Sequence, residues 1–223
     1  METEIKASDL NIAGLTPFST VDWPGKLAAV LFLQGCPIRC NYCHNSSILD
    51  PRVQGEIPWS QVENLLTTRK GLLDGVIFSG GEALMQRATL PAIQFAKSLG
   101  YAVGLHTAGI FPRELEAVLP YLDWVGFDVK APLDDVKKYG DITHAPKTLQ
   151  NVLKALEIMR DSGVDFDTRT SFDKTVLTDD DLKRISDFLI DFGITKPNKI
   201  QTVRTIGAPE KYANKLKELG IKA

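Results

Sequence analysis

The sequence predicts an α/β fold built on a six-stranded parallel sheet, and three observations carry that expectation. Short apolar, β-branched runs alternate with helix-length amphipathic segments. Those runs are apolar at nearly every position, as strands covered on both faces must be. The chain has 223 residues, 43% of them hydrophobic and 24% charged, which suffices for one globular domain with a sizeable core.

The first predicted strand covers residues 28–34 and ends at Gly35-Cys36. A helix follows over 60–67, opened by Ser60-Gln-Val-Glu63, which reads as a capping box. The second strand is 75–79 and its helix 89–99, with Gly100 just beyond. The third is 101–107, with a helix over 112–119; the fourth is 124–128, with a helix over 149–162 and then Gly163. The fifth is 166–170, and its helix over 179–192 begins at Thr178-Asp-Asp-Asp181 and is followed by Gly193. That acidic run reads as a capped, solvated helix start, where the macrodipole favours carboxylates. The sixth strand is 199–203, and a last helix runs over 209–219.

Six strand–helix units imply right-handed crossovers. They fall short of the eight of a full barrel, so periodicity alone leaves an open sheet or an incomplete barrel. Residues 1–27 form an N-terminal extension, 28–204 the core and 205–223 a C-terminal helical segment, all within one domain. Trp23, Trp59 and Trp124 are assigned to packing.

Composition narrows the function. A net charge of −2 argues against nucleic acid or an anionic membrane as a bulk partner. No apolar run reaches spanning length, and Met1-Glu-Thr-Glu-Ile is acidic where a signal peptide is basic, so a cytoplasmic protein is expected. In a reducing compartment, three clustered cysteines point to metal or redox chemistry rather than disulfides.

In either architecture the reactive site belongs at the C-terminal ends of the strands. There the sequence places the cysteine loop, Ser79-Gly80-Gly81-Glu82, His106-Thr107, Asp128-Val-Lys130, Arg169 and Gln201. All three cysteines lie in Cys36-Pro-Ile-Arg-Cys40-Asn-Tyr-Cys43. Three thiolates leave one coordination position open. With His44 they would make a Cys3His zinc shell, although adjacent ligands are unusual in zinc sites. Alternatively they hold three irons of a [4Fe–4S] cluster whose fourth iron takes an external ligand.

A C-x3-C-x2-C run closing a first strand, with the aromatic Tyr42 before its last cysteine, resembles the radical S-adenosylmethionine enzymes. The resemblance implies a partial (βα)6 barrel with parallel strands. It implies a [4Fe–4S] cluster on Cys36, Cys40 and Cys43 and S-adenosylmethionine on the open iron. Reductive cleavage of that cofactor would give a 5′-deoxyadenosyl radical. It assigns the methionyl amine to Gly80, Gly81 and Glu82, with Ser79 also among the cofactor contacts; Ala83 stands where the family usually has proline. Asp128 and Lys130 would face the zwitterionic end of the cofactor, Arg169 a carboxylate or ribose oxygen, and Thr107 would offer a hydroxyl. His106 stands where relatives carry an aspartate, which weakens the case for a monovalent cation site beside Asp128.

Over almost the whole chain the resemblance narrows to glycyl-radical-enzyme activases of the anaerobic ribonucleoside-triphosphate reductase type. The residues are Phe18-Ser-Thr-Val-Asp22-Trp-Pro24-Gly25-Lys26, Leu33-Gln34-Gly35, Cys43-His44-Asn45 and Asp128-Val-Lys130-Ala-Pro132. It implies that reductase as partner and a one-electron donor such as flavodoxin or ferredoxin. Two other readings stay open: a radical enzyme acting on a small molecule, as 7-carboxy-7-deazaguanine synthases do, and a zinc-stabilised binding module.

Overall fold

The computed structural model describes residues 4–221. The first three residues of the acidic opening and the last two of the C-terminal segment lie outside the described residues. Seven strands form one sheet: β1 (Ile12–Ser19), β2 (Ala28–Leu33), β3 (Gly75–Gly80), β4 (Ala102–Thr107), β5 (Trp124–Asp128), β6 (Asp165–Phe172) and β7 (Lys199–Thr202). Their order across the sheet is their order in the chain. Every neighbouring pair from β2 to β7 is parallel.

Seven helices accompany them: α1 (Trp59–Thr68), α2 (Thr89–Ser98), α3 (Pro112–Val118), α4 (Val136–Thr143), α5 (Leu149–Asp161), α6 (Asp179–Asp191) and α7 (Glu210–Glu218). Their buried residues share one core with alternate strand residues such as Leu31, Phe78, Leu105 and Phe127. The intervening residues Ala28, Val30, Ile77 and Trp124 form a second, smaller cluster with Trp23. The two sets alternate because successive strand side chains point to opposite faces. A doubly wound sheet would reverse its strand order and split its helices between faces. Here the order never reverses and the helices share one core, so the fold is the incomplete barrel.

The N-terminal extension is part of the sheet. β1 pairs antiparallel with β2, with irregularities between Ile12 and Gly14 and between Thr16 and Ser19. Pro17 sits in the second irregularity of this edge strand, where a missing N–H is tolerated. Gly14 and Pro17 broke the pattern by which the other strands were read. Helix α4 was also unforeseen; it is short, contains Gly140, and is capped by Asp135, which accepts from Lys138 N at 2.9 Å.

The expected capping box at Ser60 does not form, because α1 starts at Trp59 with Pro58 as its N-cap. The box at Thr178 and Asp181 does form. Asp181 is nevertheless buried and pairs with Lys138, so that helix start is only partly solvated. Gly100, Gly163 and Gly193 take positive φ as expected. Trp23 and Trp124 are buried and stack with centroids 5.5 Å apart. No helix among the described residues is long and apolar enough to cross a membrane.

Candidate active site

A cavity of about 300 Å³ opens at the C-terminal ends of the parallel strands. The three cysteines, Tyr42, Ser79, Gly80, Gly81, Thr107, Asp128, Lys130 and Arg169 all line it. One pocket thus brings together the residues singled out from sequence, with one exception.

The cysteine loop leaves β2 and is held from two sides. Helix α4 accepts two of its backbone donors, Arg39 N–H at Thr143 O (2.9 Å) and Asn41 N–H at Ile142 O (3.1 Å). The turn after β3 fixes its other side: Gly81 N–H donates to Leu33 O at 3.0 Å and Glu82 N–H to Gly35 O at 2.9 Å. Both glycines of that turn are needed for this approach. Gly80 has φ +119°, and a Cβ on Gly81 would stand 2.1 Å from Gly35 O and 3.1 Å from Cys36 Cβ.

The exception is Glu82, which does not line the cavity. Its carboxylate accepts from Thr107 Oγ1 and Ala108 N at 2.8 Å each, and from Leu84 N at 3.3 Å. It is 1% exposed, and burial pushes its pKa up despite these bonds. In this structure the carboxylate, expected to meet an amine, is turned into the cavity wall. Glu82 knits the turn after β3 to the turn after β4. Thr107 spends its hydroxyl proton in that bond, leaving only acceptor capacity for a ligand.

Asp128, Lys130 and Arg169 form one charged group. Lys130 Nζ donates to Asp128 Oδ2 at 2.8 Å, and Arg169 Nε donates to Oδ1. Asp128 and Arg169 are register partners on β5 and β6, which is why the two meet. Burial alone would raise the Asp128 pKa; Arg169 and Lys130 outweigh it and hold the carboxyl well below its usual range. Burial likewise disfavours charge on Lys130, but Asp128 keeps its ammonium protonated far above the ordinary value. The group carries two cations and one anion at neutral pH.

Several polar lining residues carry no assigned cofactor contact, although the sequence already put His106 and Gln201 at strand ends. His106, half-buried, contacts Ser79, Asp22 and Arg169. Asn45 Nδ2 donates to Gly80 O at 3.3 Å. Asp22 and Gln201 complete the rim. Each is a common polar type with no motif of its own. Strand parity could have found His106, since it shares the inward face with Gly104 and, across the register, Gly126.

A model of the radical SAM superfamily matches residues 30–189, more than half the chain. The chain belongs to the radical SAM superfamily. This radical SAM protein is 28% identical to a protein of Methanocaldococcus jannaschii named as a glycyl-radical enzyme activating enzyme, over 94% of the chain and 90% of the relative. It is 34% identical to a pyruvate formate-lyase-activating enzyme of Clostridium pasteurianum over 66% of the chain, and covers 63% of that relative, under two thirds of its length. Among solved structures, Streptococcus suis SuiB bound to S-adenosylmethionine superposes with a TM-score of 0.62 at 14% identity, over 84% of this chain and 44% of SuiB. The enzyme anSMEcpe with bound AdoMet gives 0.59 at 16%, over 77% of this chain and 49% of that one. Likeness at this identity shows the shared fold.

Membership makes this radical SAM chain an enzyme whose cofactors are a [4Fe–4S] cluster and S-adenosylmethionine. The residues present fit those groups. All three cysteines are free and line one cavity. His44 Nε2 faces the Arg204 backbone, 2.7 Å from Arg204 O and 3.1 Å from Arg204 N. Burial raises the Cys36 thiol to about 12, with the Glu82 charge adding to it, and the Cys40 thiol to about 11. Burial raises Cys43 too. Thiolates form here with a metal's positive charge to hold them. The Tyr42 side chain lines the cavity, and its hydroxyl is buried behind that wall.

Proposed function

We propose that this radical SAM enzyme is an activase that makes a glycyl radical on a partner protein, with anaerobic ribonucleoside-triphosphate reductase as the partner. The observation that carries the reading is the convergence of three free thiols, a side-chain-free turn and a charged trio on one cavity. The similarity over nearly the full chain to a protein named as a glycyl-radical enzyme activating enzyme supports the activase part. The segment 18–26 and Asp128-Val-Lys130-Ala-Pro132 support the reductase.

Each group in the cavity has a task. Cys36, Cys40 and Cys43 hold the cluster and leave one iron free. Gly80 and Gly81 let the turn after β3 pack against Leu33 and Gly35, where any Cβ would strike their backbone, and so set that turn beside the cysteine loop. Asp128, kept ionised, accepts from an ammonium; Lys130 and Arg169 attract a carboxylate. Tyr42 sets an aromatic ring beside Lys130, whose Nζ lies 6.0 Å from its centroid. When bound, the two cofactors supply the one-electron chemistry that takes a hydrogen atom from a substrate carbon. The open side of the incomplete barrel admits a glycine-bearing loop. A flavodoxin or ferredoxin as electron donor and a reducing cytoplasm belong to the same reading.

The test mixes the reduced, cluster-loaded enzyme with S-adenosylmethionine and the reductase under argon. A glycyl doublet by electron paramagnetic resonance is expected, with one 5′-deoxyadenosine formed per radical. Cofactor cleavage without a doublet would sink the reductase assignment. The 34% identity to a pyruvate formate-lyase-activating enzyme favours a second reading, with pyruvate formate-lyase as target, and the same assay with that protein decides between them.

A further inference from the structure

The chain leaves β7 and comes back to the cysteine loop. Val203, Tyr212 and Leu216 are buried in the main core and set the course of residues 203–218. Among the described residues, the side-chain hydrogen bonds that join this segment to the rest of the chain end at His44, Ser46 and Asp173. His44 Nε2 meets both the carbonyl oxygen and the N–H of Arg204. It donates to the first in the Nε2–H tautomer and accepts from the second in the other, so either tautomer makes the contact. Ser46 Oγ donates to Gly207 O at 3.1 Å. Gly207 holds φ +81°, and a Cβ there would stand 2.5 Å from His44 O. The rings of Tyr42 and Tyr212 meet edge to face with centroids 6.4 Å apart. The Tyr212 hydroxyl donates to Asp173 Oδ1 at 3.1 Å, and Asp173 is fully buried after β6.

These contacts bracket one cysteine. Tyr42, His44 and Ser46 stand on either side of Cys43, which is the part-buried member of the three; Cys36 and Cys40 are buried. The earlier half of the loop has other supports. Helix α4 accepts from Arg39 N and Asn41 N, and the turn after β3 donates to Gly35 O. Past Cys43 the side-chain hydrogen bonds of residues 44–47 go to the C-terminal segment, apart from Asn45 at Gly80 O, which is long at 3.3 Å.

We propose that residues 203–218 are a latch that positions Cys43 for the cluster, closed by His44, Ser46 and Gly207. This rests on the three cysteines being the cluster site and is independent of which protein receives the radical. The latch seats only when residues 42–46 hold the shape seen here, and Cys43 reaches a cluster shared with Cys36 and Cys40 from that same shape. Two events that need one conformation strengthen each other by the same factor. Cluster loading therefore tightens the latch, and a seated latch slows the loss of iron.

The test uses the full chain under argon, cluster-free and then cluster-loaded in the oxidised state. Amide hydrogen exchange of residues 203–218 should slow about tenfold on loading, the worth of one ordinary hydrogen bond, while exchange in α5 stays unchanged. Gly207→Ala should reach the wild-type iron content on reconstitution and then release iron to excess chelator about tenfold faster. Ser46→Ala should release it about threefold faster, with a cluster-free Tm within about 2 °C of wild type. Ser46→Thr keeps the hydroxyl and should release iron at the wild-type rate. Loading that leaves exchange at 203–218 unchanged overturns the inference alone, as does wild-type iron release in both G207A and S46A. Slowing that is equal in α5 reports a general gain in stability and also overturns it. Failure of wild type to take up a cluster overturns the site and the inference together. If G207A does not fold, S46A and the wild-type exchange decide.

Discussion

Replacing Glu82 with alanine separates a wall function from a ligand contact. In the folded enzyme the carboxylate serves Thr107 Oγ1, Ala108 N and Leu84 N, and does not border the cavity. Alanine leaves two backbone N–H groups and one hydroxyl in a buried place without their acceptor. A buried donor that loses its partner costs about 1–3 kcal/mol. The Leu84 contact is long and the Thr107 hydroxyl can rotate, so their shares are small. Removing a desolvated carboxylate returns part of the loss. The net expectation is about 3 kcal/mol, which for a chain of this length lowers Tm by ~6–12 °C. Thermal and urea unfolding of the cluster-free protein measure it, with binding of S-adenosylmethionine to the loaded protein measured alongside. The wall function predicts a large stability loss with a smaller, indirect loss of affinity. A Tm within ~2 °C of wild type, together with a hundredfold loss of affinity, would show that the carboxylate meets the cofactor directly. A pH series adds a sign. Because burial raises the Glu82 pKa, the unfolded chain releases this proton first as pH rises. Its contribution is largest below the unfolded value of about 4.3 and is lost as pH rises through the folded one. Glu82→Gln lacks that decline, so its stability relative to wild type should improve from acid to neutral pH.

Cys40→Ala should abolish iron binding after anaerobic reconstitution, read as iron and sulfide per chain and as loss of the visible absorption; retained cluster would remove Cys40 from the ligand set. His44→Ala should keep the full iron content while loosening the contact of the cysteine loop with Arg204, seen as faster proteolysis near residue 204; loss of iron would revive the Cys3His shell. Gly81→Ala should displace the cysteine loop, since its Cβ meets Gly35 O and Cys36 Cβ, and lower iron content more than tenfold. Asp128→Asn should cost ~1–3 kcal/mol by leaving Lys130 and Arg169 part-buried without their anion. The depressed Asp128 pKa means that stabilisation is present above the unfolded value of about 3.9 and fades as pH falls toward the folded one, so wild type and D128N should converge in strong acid.

Strands β2 to β5 were legible because each is a short apolar run ending at a polar residue, as in Val76-Ile-Phe-Ser79, while β6 and β7 are mixed runs read from β-branched and aromatic residues. Their consecutive order was not, since periodicity says nothing about neighbours, and the incomplete barrel came from the resemblance. β1 was hidden by Gly14 and Pro17, and α4 by Gly140 and a mostly polar face. The cysteines, the two glycines and the charged trio were legible because rare residues recur at strand ends. Glu82 was legible in position but not in direction. Sequence shows that a carboxylate follows the glycines but not which way it turns, and the Ala108 N–H draws it into the wall. His106 was legible as a polar strand end and no further. Its contacts with Arg169 and Asp22 reach across 63 and 84 residues of chain.

The charged trio follows from the thiols it sits beside. Lys130 lowers the cost of a thiolate at Cys36, Cys40 and Cys43, and burial raises that cost at all three. A lone buried lysine would shed its proton and could not do this. Asp128 keeps Lys130 charged, and Arg169 keeps Asp128 ionised. The chain from β6 through β5 to the cysteine loop is therefore one electrostatic unit. Breaking it at Arg169 should be felt in two places: weaker cofactor binding at the cavity, and slower cluster assembly at cysteines that Arg169 is not seen to touch.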